Sequence, residues 1–216
     1  MTTPLNQIVT VIRTAASLTA SSVPESLPLV LADGTRLHLR PIGPDDRDSL
    51  AALFARLTPE SRRRRFLSPK HGLTPRELAY LTDIDHVTHE AIAAIDERDG
   101  TIVGVGRYAQ FVNRAGVADV AVAVADELQG MGIGTALARR TAQRARENGF
   151  TLLTATTLRE NRPARALLRR FGFCPRGSHR GEIELELELA PIAEPTRALA
   201  ARRTRPQPPP APLMAT

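Results

Sequence analysis

The 216-residue chain contains one cysteine, no tryptophan, 4% aromatic residues and, among 29 basic residues, a single lysine, Lys70. The lone Cys174 excludes an internal disulfide and any cysteine-rich metal site, and it suits a reducing compartment, the cytoplasm. A packed thiol is the plain expectation for it. The scarce aromatics and scattered basic residues leave no stacking platform for a nucleic acid, which is disfavoured as a partner. No apolar run approaches the ~20 residues needed to cross a bilayer, so no membrane partner is expected. His86 and His89 stand near Asp83, Asp85 and Glu90, but no further ligand set follows at a recognised spacing, so no metal is expected.

What is present is an ordinary globular core, with 42% hydrophobic residues and a net charge of +6 carried almost wholly by arginine. The size fits one folded domain, and arginine favours polyanionic ligands. Residues 1–28, rich in Ser, Thr and Pro, are expected to be a disordered extension, with an apolar patch at Ile8–Ile12 that lacks the flanks of a targeting segment. Residues 191–216, ending in RPQPPPAP before the last few residues, cannot join a sheet and form a tail. Between them, 29–190 are expected to make the domain, and control by a fused regulatory domain is not expected. A hairpin is predicted around Asp33-Gly34, and a helix from Pro44 to Leu57 with Leu50, Leu53, Phe54 and Leu57 at helical spacing. A capping box at Thr74-Pro-Arg-Glu77 opens a further helix. Arg62 to Arg65 read as a solvated cationic face. A meander of strands follows, 89–96, 101–111 and from Val117 onward, then a helix to Asn148, a strand from Phe150 to Leu158, a helix after Asn161 with a buried stripe of Ala164, Leu167, Leu168 and Phe171, and a strictly alternating strand from Glu182 to Leu189.

The stretch from Asp119 to Thr135, DVAVAVADELQGMGIGT, organises the rest. Val120, Val122 and Val124 alternate with Ala121, Ala123 and Ala125, which predicts a central strand covered on both faces. Gln129-Gly130-Met131-Gly132-Ile133-Gly134-Thr135 then leads into a helix. Glycines let a ligand lie against the backbone, and the N–H groups of a helix's first turn have no intrahelical partners, so the bend is an anion site, most naturally for a phosphate or pyrophosphate. A P-loop would need Gly-Lys-Ser/Thr, and Lys70 lies elsewhere. A dinucleotide fingerprint would need a third glycine where Thr135 or Leu137 stands.

The bend does fit the Q/R-x-x-G-x-G/A element of the GNAT acyltransferase superfamily, with Gln129, Gly132 and Gly134 in place after an apolar strand. Asn161-Arg-Pro-Ala-Arg-Ala-Leu-Leu-Arg-Arg-Phe-Gly-Phe173 resembles that family's second element. LRPIGPDD, LTPESRRRRF, DIDHVTHEAIAA and VADVAVAVAD make the span from Leu39 to Phe173 similar to bacterial protein lysine acetyltransferase (Pat-like) GNAT domains. The resemblance implies an α+β GNAT fold with a mixed, mostly antiparallel sheet of six to seven strands and about four helices. It implies acetyl-CoA as acyl donor, its pyrophosphate on the amides of Gly130 to Thr135 and its pantetheine arm beside Val122, Ala123 and Val124. Asn161 faces the pantetheine region in such proteins, and serves equally as a helix cap. The acceptor implied is a primary amine, on a small molecule or a protein lysine. Asp119 matches a position usually held by Glu and proposed as the base; it is one methylene shorter, so a water must bridge the gap or turnover is slow. The family's acid Tyr, seven residues after the Asn, is Leu168 here. These two departures keep a non-catalytic CoA-binding or sensor module as the alternative. Such a domain is expected as a monomer or homodimer.

Overall fold

The computed structural model describes residues 26–190; the readings of the N-terminal extension and of the proline-rich tail fall largely or wholly outside them. Within them lie eight strands and five α-helices. In chain order these are β1 Leu27–Val30, β2 Arg36–Pro41, α1 Arg47–Arg56, α2 Pro59–Phe66, α3 Pro75–Thr82, β3 His89–Asp96, β4 Ile102–Phe111, β5 Arg114–Val124, α4 Ile133–Glu147, β6 Leu152–Leu158, α5 Arg162–Arg170, β7 Cys174–His179 and β8 Glu182–Glu188. One sheet holds all eight strands in the order β1-β2-β3-β4-β5-β6-β8-β7. Every neighbouring pair is antiparallel except β5 and β6, which run parallel because α4 carries the chain back across the sheet.

The architecture is the expected α+β one, with a strand and a helix beyond the expected number. The additional helix is α2, read from sequence as a mere run of charge. Its start carries a clear signature: Thr58 Oγ1 accepts the amide of Ser61 at 3.2 Å and Pro59 occupies the first turn. The additional strand, β7, includes Pro175 and Gly177, poor strand formers, and exists because β8 supplies its partner groups. The capping box at Thr74 is present as predicted, with Glu77 and Thr74 bonded reciprocally.

Alternation along β3 divides the core. Ala91, Ala93 and Ile95 pack beneath α1 and α3, while Ile92 and Ala94 pack with Ile133 and Leu137 of α4 on the opposite face. A third cluster joins Tyr108, Ala145 and Phe150 to Phe173, Ile183 and Leu185, with Leu168 and Phe171 of α5 packed against it. α4 lies unusually close to the sheet, because a Cβ on Gly106 would stand 2.6 Å from Thr141 Oγ1 and 3.2 Å from Leu137. That approach sets the N-terminus of α4 over the carboxyl end of β5.

Candidate active site

β5 and β6 pair over only three residues, Val117 with Leu152, Ala118 with Leu153 and Asp119 with Thr154. Beyond that point β5 stays with β4 as far as Val124 and β6 stays with β8 as far as Leu158, so the two parallel strands part. A groove of about 450 Å³ occupies the opening, lined by Val120–Val124, residues of β6, the bend before α4, and α5. This is the range of volumes typical of small-molecule sites. The parting corrects the expectation that β5 is covered on both faces: it is the fifth of eight strands, but Val120 to Val124 are only half-buried because they wall the groove. The stripe on α5 is half-buried for the same reason. Leu167 and Leu168 both line the groove, Leu168 at the border between it and the third core cluster.

At the groove's far end the bend adopts the conformation that its glycines permit, with Gly130 at φ 81° and Gly132 at φ 93°. Among the described residues, the amides of Gly130, Met131, Gly132, Ile133 and Gly134 donate to no protein acceptor. The Thr135 amide, in contrast, donates to Gly132 O at 3.0 Å and is removed from the expected set. The side chains of Ile133 and Met131 pack into the core, and Gly130, Gly132 and Gly134 line the groove. Gln129 is a brace: its Nε2 donates to Val124 O at 3.1 Å and to Asp126 Oδ1 at 2.8 Å, tying the bend to the end of β5. The two acids preceding the bend are themselves engaged. Asp126 accepts from the Thr58 amide at 2.6 Å and from the Ser61 hydroxyl, and Glu127 pairs with Arg56, which leaves the bend positive in character.

Asn161 caps α5, its Oδ1 accepting the Ala164 amide at 3.2 Å, and its side chain also borders the groove. Its two readings are therefore compatible.

Asp119 stands where the strands part, one residue before the lining of the groove. Thr154 Oγ1 donates to it at 3.0 Å. Burial pushes the Asp119 carboxyl up to about 6, against the opposing pull of the Thr154 hydroxyl and the Arg65 guanidinium. A carboxylate with this proton affinity is half-ionised near pH 6 and ionised at neutral pH, where it can take a proton.

Arg65 is the functional residue that sequence reasoning missed, having been grouped with a solvated cationic face. The four arginines separate in the fold. Arg62 donates to main-chain oxygens of Phe54, Ala55 and His71, Arg63 bridges Glu60 and Glu160 at 2.9 and 2.8 Å, and Arg64 pairs with Glu60 at 2.8 Å. Arg64 and Arg65 both line the groove, and of the four it is Arg65 whose charge acts on Asp119. Because Asp126 holds one end of α2 and Glu160 the other side, the helix is strapped across the opening. The signal was available in the Thr58-Pro59-Glu60 start, which makes a helix and so assigns the arginines to different faces.

Behind the half-buried Arg65, the face of the sheet carries a buried cation. Arg107 is 7% exposed, and its Nη2 donates to Leu81 O at 2.7 Å. Burial, then repulsion from Arg65, pushes it down to about 9, so it remains charged at neutral pH. His89 stacks on Tyr80 with ring centroids 5.0 Å apart, and burial and Arg107 push it down to about 3, which keeps it neutral. No group of three or more metal-binding side chains occurs among the described residues. His86 instead bonds Glu90 at 2.8 Å. Cys174 is exposed, contrary to the expectation of a packed thiol. No helix among the described residues is long and apolar enough to cross a membrane.

Comparison with known proteins agrees with this geometry. The family model described as Acetyltransferase (GNAT) family matches residues 55–173. An acetyltransferase of Pseudomonas aeruginosa is 34% identical over 145 residues, covering 66% of this chain and 77% of that protein. The acetyltransferase Pat of Mycolicibacterium smegmatis is 26% identical over 166 residues, covering 77% of this chain and 50% of its own length. Among solved structures, the crystal structure of the GNAT domain of S. lividans PAT superimposes with a TM-score of 0.71 at 28% identity, covering 76% of this chain and 97% of that one. With a groove opening between two parting strands and a glycine bend at its end, the chain belongs to the GNAT acetyltransferase family, related to its Pat-like domains.

Proposed function

We propose that the protein transfers an acetyl group from acetyl-CoA to a primary amine, with Asp119 accepting the amine's proton. The observation that carries this reading is the pairing of β5 with β6 up to Asp119 and no further. The same point in the fold begins the groove and holds the carboxylate.

The five amides of Gly130 to Gly134 suit a diphosphate, since each can donate without breaking a protein hydrogen bond and all stand at the N-terminus of a 15-residue helix. Val122 to Val124 have a free edge toward the parting, which suits an extended amide-containing arm laid beside them like a strand. The acyl donor supplies a carbonyl carbon bonded to a thiolate leaving group. An amine with a pKa near 10.4 is mostly protonated at pH 7, a deficit of about 4–5 kcal/mol that a base must help to offset. Asp119 takes the ammonium proton, directly or through a water. The amine nitrogen then attacks the carbonyl carbon, the new C–N bond forms, and the C–S bond breaks with its electron pair leaving on sulfur. The proton still on the new amide nitrogen passes through solvent to the thiolate. Leu168, at the position where the family resemblance implies an acid Tyr, offers no proton at this step, and a thiolate whose conjugate acid has a pKa near 8.5 leaves without one.

The test has two parts. Calorimetry is expected to register acetyl-CoA binding in wild type and in Asp119→Asn alike. Acetyl transfer to a panel of small amines and lysine peptides is expected in wild type and nearly lost in Asp119→Asn. Undiminished turnover in that variant would remove Asp119 from the reaction, and binding without any transfer would make the protein a CoA-binding module.

A further inference from the structure

We propose that the acceptor is an amino-carboxylic acid, a small molecule whose amine meets Asp119 while its carboxylate is held by Arg107 and Arg65. This rests on the reading above and goes beyond it by naming the acceptor's second functional group.

Arg107 is one of four charged side chains in the buried class, and its Nη1 has no hydrogen-bond partner among the described residues. Its one bond is to a backbone oxygen, and the neighbouring charge, Arg65, has the same sign. A buried cation without a counter-charge is costly, so this arrangement calls for an anion. A cavity of about 40 Å³ adjoins the two arginines, roughly three times the minimum that holds one water. Its other walls are apolar, among them Leu50, Leu53, Leu81 and Val105. Such walls offer little to a water, which needs two to four polar partners, but suit a carboxylate on a short methylene chain. The cavity shares Leu57, Arg65 and Ala123 with the main groove, so it is a branch of that groove.

The register supplies the distance. Ala121 of β5 lies opposite Arg107 of β4, and Asp119 lies opposite Ala109. Asp119 and Arg107 are therefore diagonal neighbours on one face of the sheet, with backbones about 7–8 Å apart. Between and beside them, Ala121 and Ala123 keep the floor low. One molecule with an amine and a carboxylate a few methylenes apart spans this interval.

Two measurements test the proposal. The first compares 4-aminobutanoate with n-butylamine as acceptors in wild type, Arg107→Met and Val105→Leu, the last narrowing the branch. Wild type is expected to favour the carboxylated acceptor at least tenfold in kcat/KM. Arg107→Met is expected to abolish that preference through a raised KM for 4-aminobutanoate, and Val105→Leu to reduce it. The second is calorimetric titration of butanoate into the same three proteins, which needs no turnover. Binding is expected in wild type and at least tenfold weaker in Arg107→Met. Equal use of the two acceptors, a preference that survives Arg107→Met, or no butanoate binding would overturn the proposal. Butanoate binding without transfer to any amine would overturn the acetyltransferase reading and leave the carboxylate site standing.

Discussion

The sheet carries two acids in opposite circumstances. Glu90, on the α4 side, is fully buried, and its oxygens meet Arg144 at 3.0 Å, His86 at 2.8 Å and the Ala91 amide at 3.0 Å. Asp119, at the parting of β5 and β6, has the Thr154 hydroxyl as its one hydrogen-bond donor among the described residues. The contrast recurs among the arginines. Arg144 is bonded to both Glu90 and Glu147, whereas Arg107 has one backbone oxygen and a free Nη1. Charges on the α4 side hold the fold together. On the α2 side, charges are left short of partners around the groove, which is where reactive groups concentrate.

This contrast can be broken from either side. The largest expected effect is on catalysis: Asp119→Asn should lower kcat by about 10²–10⁴-fold, the usual contribution of a positioned base. In wild type the rate should rise with pH through about 6 as Asp119 ionises, and the residual rate of the variant should lack that inflection. Steady-state rates from pH 5 to 8 check both. Glu90→Gln should behave oppositely, leaving kcat close to wild type but destabilising the fold by about 2–4 kcal/mol, because Arg144 loses a buried partner. Denaturant unfolding measures that.

A subtler outcome concerns the stability of Asp119→Asn. The folded pKa of Asp119 is raised above its unfolded value, so the stability it contributes is present in acid and lost as pH rises through about 6. The variant should therefore exceed wild type by about 1–3 kcal/mol at pH 8, a figure reduced by partial exposure to the groove, and match it near pH 4. Equal stabilities at pH 8 would mean that Asp119 is not strained by burial. The smallest effect is expected for Asn161→Ala, about 1 kcal/mol of stability from the lost cap on α5. A concurrent rise in the KM for acetyl-CoA would separate the groove-facing role of this side chain from its capping role.

Much of the fold was legible in the chain. The alternation of Glu182 to Leu189 made β8 certain to form a two-faced strand, and Thr74 with Glu77 marked the start of α3 to the residue. The site was legible in part. Glycine spacing identified the bend before α4, because a positive φ needs residues that tolerate it whatever surrounds them. Arg65 was hidden by its three neighbours, since a run of like residues says nothing about which one a helix turns inward. β7 was hidden because its pairing, rather than its own composition, makes it a strand.

Local features were determined by the sequence alone: most of the helices and strands, the caps, and the glycine bend before α4. These depend on forces between residues a few positions apart. Tertiary structure alone decided that β5 and β6 part after Asp119, that Asp119 is buried enough to hold its proton to about 6, and that Arg65 stands between Asp119 and Arg107 in charge range of both. Those outcomes depend on desolvation and on charges brought together from α2, β4 and β5. Neither burial nor such a meeting is a property of any one stretch of chain.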